Sequence, residues 1–188
     1  MNNFNLTEIL YFPLRDSEAR RQFLYVSIAM LAGFIIPLLP MIAVMGYAAQ
    51  IAAGIIRDGK TLHMPPWKDL GKLLSEGFRL YGVQLAFGAP LIIGMLFFWG
   101  SYMLIPIAFI SEDPNSFTPG TLALFFVPML CMFPMMIYGV AVGILLPVAE
   151  CHMLAKDEFR AGFRVKEWWP IFRANLGQFL LVYVIIMV

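Results

Sequence analysis

Charged residues are scarce in this sequence, and long stretches have none. Only 13% of the residues are charged and 61% are hydrophobic, against roughly 25% charged residues in a typical soluble domain. A soluble chain of 188 residues could not bury that much apolar surface. The composition therefore predicts a polytopic membrane protein with an all-α transmembrane helix bundle. The stretches without charge are 23–56, 80–110, 121–149 and 174–188.

Residues that hold metals and form disulfides are also rare. The sequence has two cysteines, Cys131 and Cys151, and two histidines, His63 and His152. Two cysteines cannot form a disulfide framework, and zinc normally needs three or four Cys, His or carboxylate ligands. The net charge of +1 argues against a nucleic-acid-binding surface. Since no catalytic motif is present either, we expect no enzyme activity, no cofactor, no metal site and no nucleic-acid partner.

The lengths of the charge-free stretches predict about four complete spans and the beginning of a fifth. A spanning helix needs about 20 apolar residues, so 80–110 and 121–149 each predict one span. Residues 174–188 are too few for a complete span. We expect the natural protein to continue beyond them.

The first charge-free stretch, 23–56, is too long for one span. Pro37 and Pro40 divide it at its centre, and each disfavours helix at the residue before it. The stretch therefore predicts a helical hairpin, about 23–38 and 40–56. A re-entrant pair that never reaches the far side of the membrane remains an alternative.

All lysines and arginines fall within 15–21, 57–79 and 156–173. Short loops rich in these residues stay in the cytoplasm. The pattern thus predicts a cytoplasmic N-terminus and an external loop at 111–120, which has neither residue type. The predicted single integral membrane domain, 1–188, comprises a cytoplasmic N-terminal segment (1–22), the proline-broken hairpin (23–56), a cytoplasmic amphipathic segment (57–79), a span (80–110), the external loop (111–120), a span (121–149), a second cytoplasmic amphipathic segment (150–173) and an incomplete span (174–188).

Two amphipathic segments follow apolar helices in the same order, which predicts a parallel internal repeat. From Trp67 to Phe78, and again from Phe159 to Phe172, apolar and charged residues alternate at helical spacing. Helices of this kind lie in the membrane interface, so we predict two interfacial amphipathic helices. Because indole rings favour the same depth, the predicted interfacial anchors are Trp67, Trp168 and Trp169.

Small and polar residues within the apolar stretches are candidates for helix contacts. Gly139 and Gly143 form a G-x-x-x-G pair, a spacing that lets another helix approach closely. That helix could belong to the same chain or to another, and the same chain is favoured. A second predicted packing stripe consists of Ala43, Gly46, Gln50, Ala53 and Gly54. The candidate polar contacts are Gln84, Glu150 and His152.

Several short motifs carry a family resemblance through their order and spacing. They are Phe12-Pro13-Leu14-Arg15-Asp16, Gly46-Tyr47, Arg57-Asp58-Gly59, Pro66-Trp67-Lys68-Asp69, Glu76-Gly77-Phe78, Leu146-Pro147, Phe159-Arg160-Ala161-Gly162-Phe163 and Arg173-Ala174-Asn175-Leu176-Gly177. Together they make essentially the whole chain resemble the uncharacterised prokaryotic membrane-protein family catalogued as domain of unknown function 4013. The resemblance implies a polytopic α-helical protein of the prokaryotic cytoplasmic (inner) membrane, and it implies no activity.

Two functional hypotheses follow from these features. The first is a non-enzymatic accessory or scaffold subunit that contacts the lipid bilayer and packs against other membrane protein subunits. The second is a carrier for lipid or for a small apolar solute, which the repeat and the proline-broken spans favour. An enzyme ranks third, because the carboxylates are scattered over both predicted membrane surfaces.

Overall fold

The structure, a computed structural model, describes residues 11–59, 63–111 and 119–187. Within these ranges the chain is all-helical and has no strand, which confirms the predicted fold class. Most of the predicted external loop, 112–118, lies outside the described residues. The α-helices are α1 (Ser17–Ala32), α2 (Leu39–Asp58), α3 (Leu70–Ser111), α4 (Pro119–Lys156), α5 (Val165–Ala174) and α6 (Leu176–Met187), and two 3-10 helices cover Phe12–Leu14 and Phe159–Phe163.

Two helices, α1 and α2, lie where the hairpin was predicted, and α1 is shifted toward the N-terminus. It begins at Ser17 because the Asp16 carboxylate accepts a hydrogen bond from the Ala19 N–H at 2.7 Å, which caps the first turn. It ends at Ala32, well before the predicted boundary at residue 38. Pro37 cannot donate a backbone hydrogen bond and restricts the residue before it, so the helix stops early.

Three helices among the described residues are long and apolar enough to cross a membrane: Leu39–Arg57, Leu70–Leu104 and Phe125–Lys156. They indicate a multi-pass membrane protein in contact with the lipid bilayer. Helix α1 has 16 residues, of which the first turns carry charge, and therefore falls short of a span. The described residues thus contain one long apolar helix fewer than the four predicted crossings.

The first amphipathic segment does not form a separate interfacial helix. Helix α3 begins at Leu70 and runs without interruption to Ser111, so the amphipathic residues are the first turns of a long helix. No proline lies between Leu70 and Pro90, and isolated glycines weaken a helix without ending it. The second segment does form a separate amphipathic helix, α5, which ends before Asn175.

The chain divides into two compact units. We call one the charged unit; its described residues belong to 11–84 and Pro147–Asn175. The other is the apolar unit, with described residues in Leu85–Leu146 and 176–187. Two of the boundaries fall inside α3 and α4, both of which stay helical through their prolines, and the third lies between α5 and α6. The extent of a single membrane domain over 1–188 stays a prediction.

Candidate functional site

Two glycines of the charged unit bring α2 and α3 into backbone contact. A β-carbon on Gly46 would overlap the carbonyl oxygen of Leu73, and one on Gly77 would overlap the carbonyl oxygen of Ile42. Helices approach this closely only where small residues line the crossing. Gly46 and the buried Ala43 of the predicted packing stripe therefore lie in a contact within the chain.

The other predicted packing residues lie at different places. Gln50, Ala53 and Gly54 line a cavity of the charged unit. In the apolar unit, Gly139 faces Leu91 and Gly143 faces the ring of Tyr183. The G-x-x-x-G pair thus contacts side chains of the same chain.

Asp157, which directly follows α4, forms ion pairs with residues of α2 and α3 in the charged unit. Its carboxylate lies 2.9 Å from the guanidinium of Arg57 on α2 and 2.8 Å from that of Arg79 on α3. Arg79 also pairs with Glu76 at 3.1 Å. The hydrogen bond from Arg79, followed by the charge of Arg57, holds the pKa of Asp157 below its usual range. Asp157 has a φ of 53°. Most residues other than glycine are strained at such a positive φ.

Gln84 and Glu150, two of the candidate polar contacts, form a hydrogen bond with each other. The Gln84 amide Nε2 donates to Glu150 Oε1 at 2.8 Å, and both residues are half-buried. The pair joins α3 to α4 within the charged unit. It supplies a polar partner to each side chain inside long apolar helices, which is the usual function of such contacts.

His152, the third candidate polar contact, pairs with Glu167 of α5. The His152 Nε2 and Glu167 Oε2 atoms are 3.1 Å apart, and the histidine side chain is only 9% exposed. Glu167 also lies 3.6 Å from Arg164. The hydrogen bond with His152 and the charge of Arg164 lower the pKa of Glu167. Within the described parts of the chain, no three His, Cys, Asp or Glu side chains come together as a metal site would require.

The three tryptophans predicted as interfacial anchors have different surroundings. Trp168 is 1% exposed, and its Nε1 donates to the Gly162 carbonyl at 3.1 Å, so it lies in the core of the charged unit rather than on its surface. Trp67 is half-buried and stacks on Tyr47, with ring centroids 5.0 Å apart. Trp169 is exposed, as an anchor in the membrane interface must be.

The segment before α3 is held by two residues that the sequence patterns did not single out. The Tyr47 hydroxyl donates to the Pro65 carbonyl at 2.8 Å. The Trp67 N–H donates to the Gln22 Oε1 at 3.0 Å, and Gln22 is buried. The position of Gln22 at the edge of an apolar stretch could have marked it as a candidate polar contact. Its partner could not have been predicted from local spacing, because Trp67 is 45 residues away.

A cavity of about 270 Å³ lies in the charged unit beside this segment. It is lined by the C-terminal half of α2, the first turns of α3, His63 and Pro65. The polar side chains of its wall are Gln50, Arg57, His63, Lys72 and Glu76. The cavity therefore combines cationic and hydrogen-bonding groups with a wall of small residues.

Comparison with known proteins places the chain in a family. Residues 29–188 match the family described as "Protein of unknown function (DUF4013)". The chain belongs to this family. The match confirms the resemblance found in the sequence motifs. No curated protein and no solved structure matches the chain.

The polar groups of this DUF4013 protein mainly fasten helices to one another. Every buried side-chain nitrogen and oxygen among the described residues has a hydrogen-bond partner. The ion pairs at Asp157 and the Gln84–Glu150 bond are contacts between helices of one unit. Arg57, which pairs with Asp157, and Lys72 also line the cavity.

Proposed function

We propose that this protein is a non-enzymatic accessory or scaffold subunit that packs against other membrane proteins. One observation carries the proposal, namely a stripe of five exposed side chains and one half-buried glycine on one face of α3 in the apolar unit. They recur every three or four residues, the spacing at which one helix packs along another. We call this set the α3 stripe, and it consists of Leu85, Gly88, Ile92, Met95, Trp99 and Met103.

The α3 stripe combines large anchors with a gap. Trp99 and Met103 are 56% and 69% exposed. A β-carbon on Gly88 would meet nothing within 4 Å, so the backbone there is open to a neighbour. Large side chains beside an open glycine suit a partner helix better than they suit fluid lipid chains, because only a partner of fixed shape can fill the gap.

Photo-crosslinking from the native membrane tests this proposal. A photoreactive amino acid at Met95 or Trp99 should yield protein adducts of defined mass. Ile93 and Phe97 provide matched controls, because they are comparably exposed but lie on another face of α3. We expect lipid adducts alone from the controls. Equal protein yields from both faces, or none from either, would contradict a scaffold function.

The second candidate function, a carrier for lipid or a small apolar solute, has a different observation in its favour. A second cavity of the charged unit, of about 450 Å³, is lined by mainly apolar residues of α1 and α2, among them Tyr25, Ala29 and Ala43, and by Trp67 and Leu70. Filling it with Ala29→Phe should slow transfer of a fluorescent lipid between vesicles if the protein is a carrier. An unchanged transfer rate would remove this candidate.

We also propose a prokaryotic inner-membrane location with a cytoplasmic N-terminus. The distribution of lysine and arginine supports it, since the charge-rich ends of α2 and α4 would then face the cytoplasm. A reporter active only in the cytoplasm, fused at the N-terminus, should be active, and one active only outside should not. The opposite result would invert the topology.

A further inference from the structure

The smaller cavity of the charged unit, which is lined by Arg57 and Lys72, has the size of a lipid headgroup rather than of a whole lipid. Its volume of about 270 Å³ lies just below the roughly 300 Å³ at which small-molecule sites begin. Ala53 forms part of its wall, so a larger residue at this position would fill the space. The cavity can therefore hold one small polar group.

The charges around the cavity leave a positive excess. Among the residues that line the cavity, Arg57 and Lys72 are cationic and Glu76 is anionic, which leaves one positive charge in excess. Glu76 pairs with Arg79 at 3.1 Å, and Arg57 pairs with Asp157 at 2.9 Å. Lys72 is exposed, and no carboxylate of the described residues forms an ion pair with it. The site therefore favours an anion.

The cavity lies at the ends of two candidate spans. Arg57 is the last residue of one candidate span, and the next begins at Leu70, two residues before Lys72. The phosphates of membrane lipids lie at the same level as the ends of spanning helices. Arginine and lysine bind phosphate oxygens through charge-assisted hydrogen bonds, which are about twice as strong as neutral ones.

We propose that this cavity binds a phosphate group. Arg57 and Lys72 contact its oxygens, and Gln50 and His63 stand on the same wall as further hydrogen-bonding groups. The group comes either from an anionic phospholipid or from a soluble phosphate compound, because the same contacts serve both. This proposal is independent of the scaffold function, which concerns the apolar unit.

The test uses the full chain in nanodiscs and two probes. In the first arm, nanodiscs contain phosphatidylcholine and phosphatidylglycerol in equal parts, and native mass spectrometry counts the phosphatidylglycerol molecules that stay on the released protein. In the second arm, nanodiscs contain phosphatidylcholine alone, and sodium phosphate is titrated against sodium chloride of equal ionic strength by calorimetry.

Four variants distinguish binding in the cavity from non-specific attraction of anions to surface charges. Lys72→Gln should weaken binding about tenfold, the effect of losing one charge-assisted hydrogen bond. Lys68→Gln removes the same charge from an exposed neighbour that does not line the cavity, so it should leave binding unchanged. Ala53→Leu should abolish binding by filling the space. Glu76→Gln removes a negative charge and should tighten binding.

The outcomes distinguish the two sources and the failure of the proposal. Retained phosphatidylglycerol that is lost in Lys72→Gln but kept in Lys68→Gln supports a lipid headgroup. Saturable phosphate binding with the same variant order, without lipid retention, supports a soluble compound. Equal effects of Lys72→Gln and Lys68→Gln, or binding that Ala53→Leu does not change, would overturn the proposal. Matching elution profiles confirm that each variant is folded.

Discussion

The charged unit and the apolar unit differ in where charged groups and buried apolar side chains lie. The charged unit contains a buried apolar core, including Trp168, Leu73 and Met153, and carries the ion pairs, but it also exposes large apolar side chains such as Phe34 and Ile35. The described residues of the apolar unit contain no Asp, Glu, Lys, Arg or His, and many of their large side chains are exposed. The first unit thus has a packed core with polar contacts between its helices, and both units depend on lipid or on a partner to cover their exposed apolar side chains.

The two parts of α3 differ in how far their large apolar side chains are exposed. The part of α3 that belongs to the charged unit buries Leu73, Leu80 and Val83. The later part of α3 exposes Ile93, Leu96 and other large apolar residues. In water such a surface would mark a site of aggregation or association. In a bilayer it costs nothing, because lipid tails are as apolar as the side chains.

The largest expected difference between the units concerns tryptophan. Trp168→Ala should lower the free energy of unfolding by about 3–5 kcal/mol, because it leaves a cavity in the core of the charged unit. Trp99→Ala in the apolar unit should change it by less than about 0.5 kcal/mol in detergent, because the side chain is exposed. Reversible unfolding in mixed micelles measures both. Equal losses would show that the units are built alike.

The same glycine substitution should have opposite signs in the two units. Gly77→Ala forces the α2 and α3 backbones apart and should destabilise by about 1–3 kcal/mol. Gly88→Ala meets open space within a helix and should stabilise by about 0.5–1 kcal/mol. Thermal unfolding of both variants in one detergent gives the comparison. A stabilising Gly77→Ala would disprove the close crossing.

A matched pair of glutamines separates a bonded polar group from a solitary one. Gln84→Leu removes the donor to Glu150 and should cost about 1–2 kcal/mol. Gln178→Leu changes an exposed glutamine of α6 in the apolar unit and should be neutral or slightly stabilising in lipid. The unfolding free energies of the two variants provide the readout. A neutral Gln84→Leu would mean that the Glu150 side chain finds another donor.

The smallest expected effect is the dependence of stability on the ionisation of Asp157 at low pH. Because the pKa of Asp157 is lowered in the folded protein, its contribution is present above the ordinary aspartate pKa and is lost as the pH falls through the folded value. The side chain is 54% exposed, so solvent screening limits the contribution to less than about 1 kcal/mol.

Asp157→Asn should therefore reduce the free energy of unfolding slightly at neutral pH. In strong acid the variant and the unchanged protein should have the same free energy of unfolding. Unfolding measured across this pH range at low salt tests the expectation. A difference between the two proteins that persists at the acid end would rule out ionisation of Asp157 as its cause.

The local sequence pattern was sufficient to predict that helices form, but not where each helix begins and ends or what it packs against. The proline-broken hairpin and the long apolar helices follow from runs of residue type, which depend only on neighbours in sequence. The amphipathic residues after Trp67 were predicted to form their own interfacial helix, yet they begin α3. Spacing shows which face is apolar, but it does not show whether the helix continues.

The candidate site shows the same limit. Gln84, Glu150 and His152 could be singled out as polar residues at the edges of apolar stretches, but their partners could not be assigned. Trp168 was expected in the interface because tryptophans favour it, whereas packing buried its ring against the Gly162 carbonyl. Asp157 and Arg79, 78 residues apart, form an ion pair that no local rule predicts.

The sequence by itself determined that the chain is helical, rich in long apolar segments and a member of its family, because each property is written in residue type and short-range order. Tertiary structure alone decided that Gly46 and Gly77 meet their neighbours' backbones, that Asp157 bridges two arginines and that a cationic cavity lies beside them. These features arise where helices distant in sequence pack, and the free energy of such contacts depends on geometry that composition does not contain.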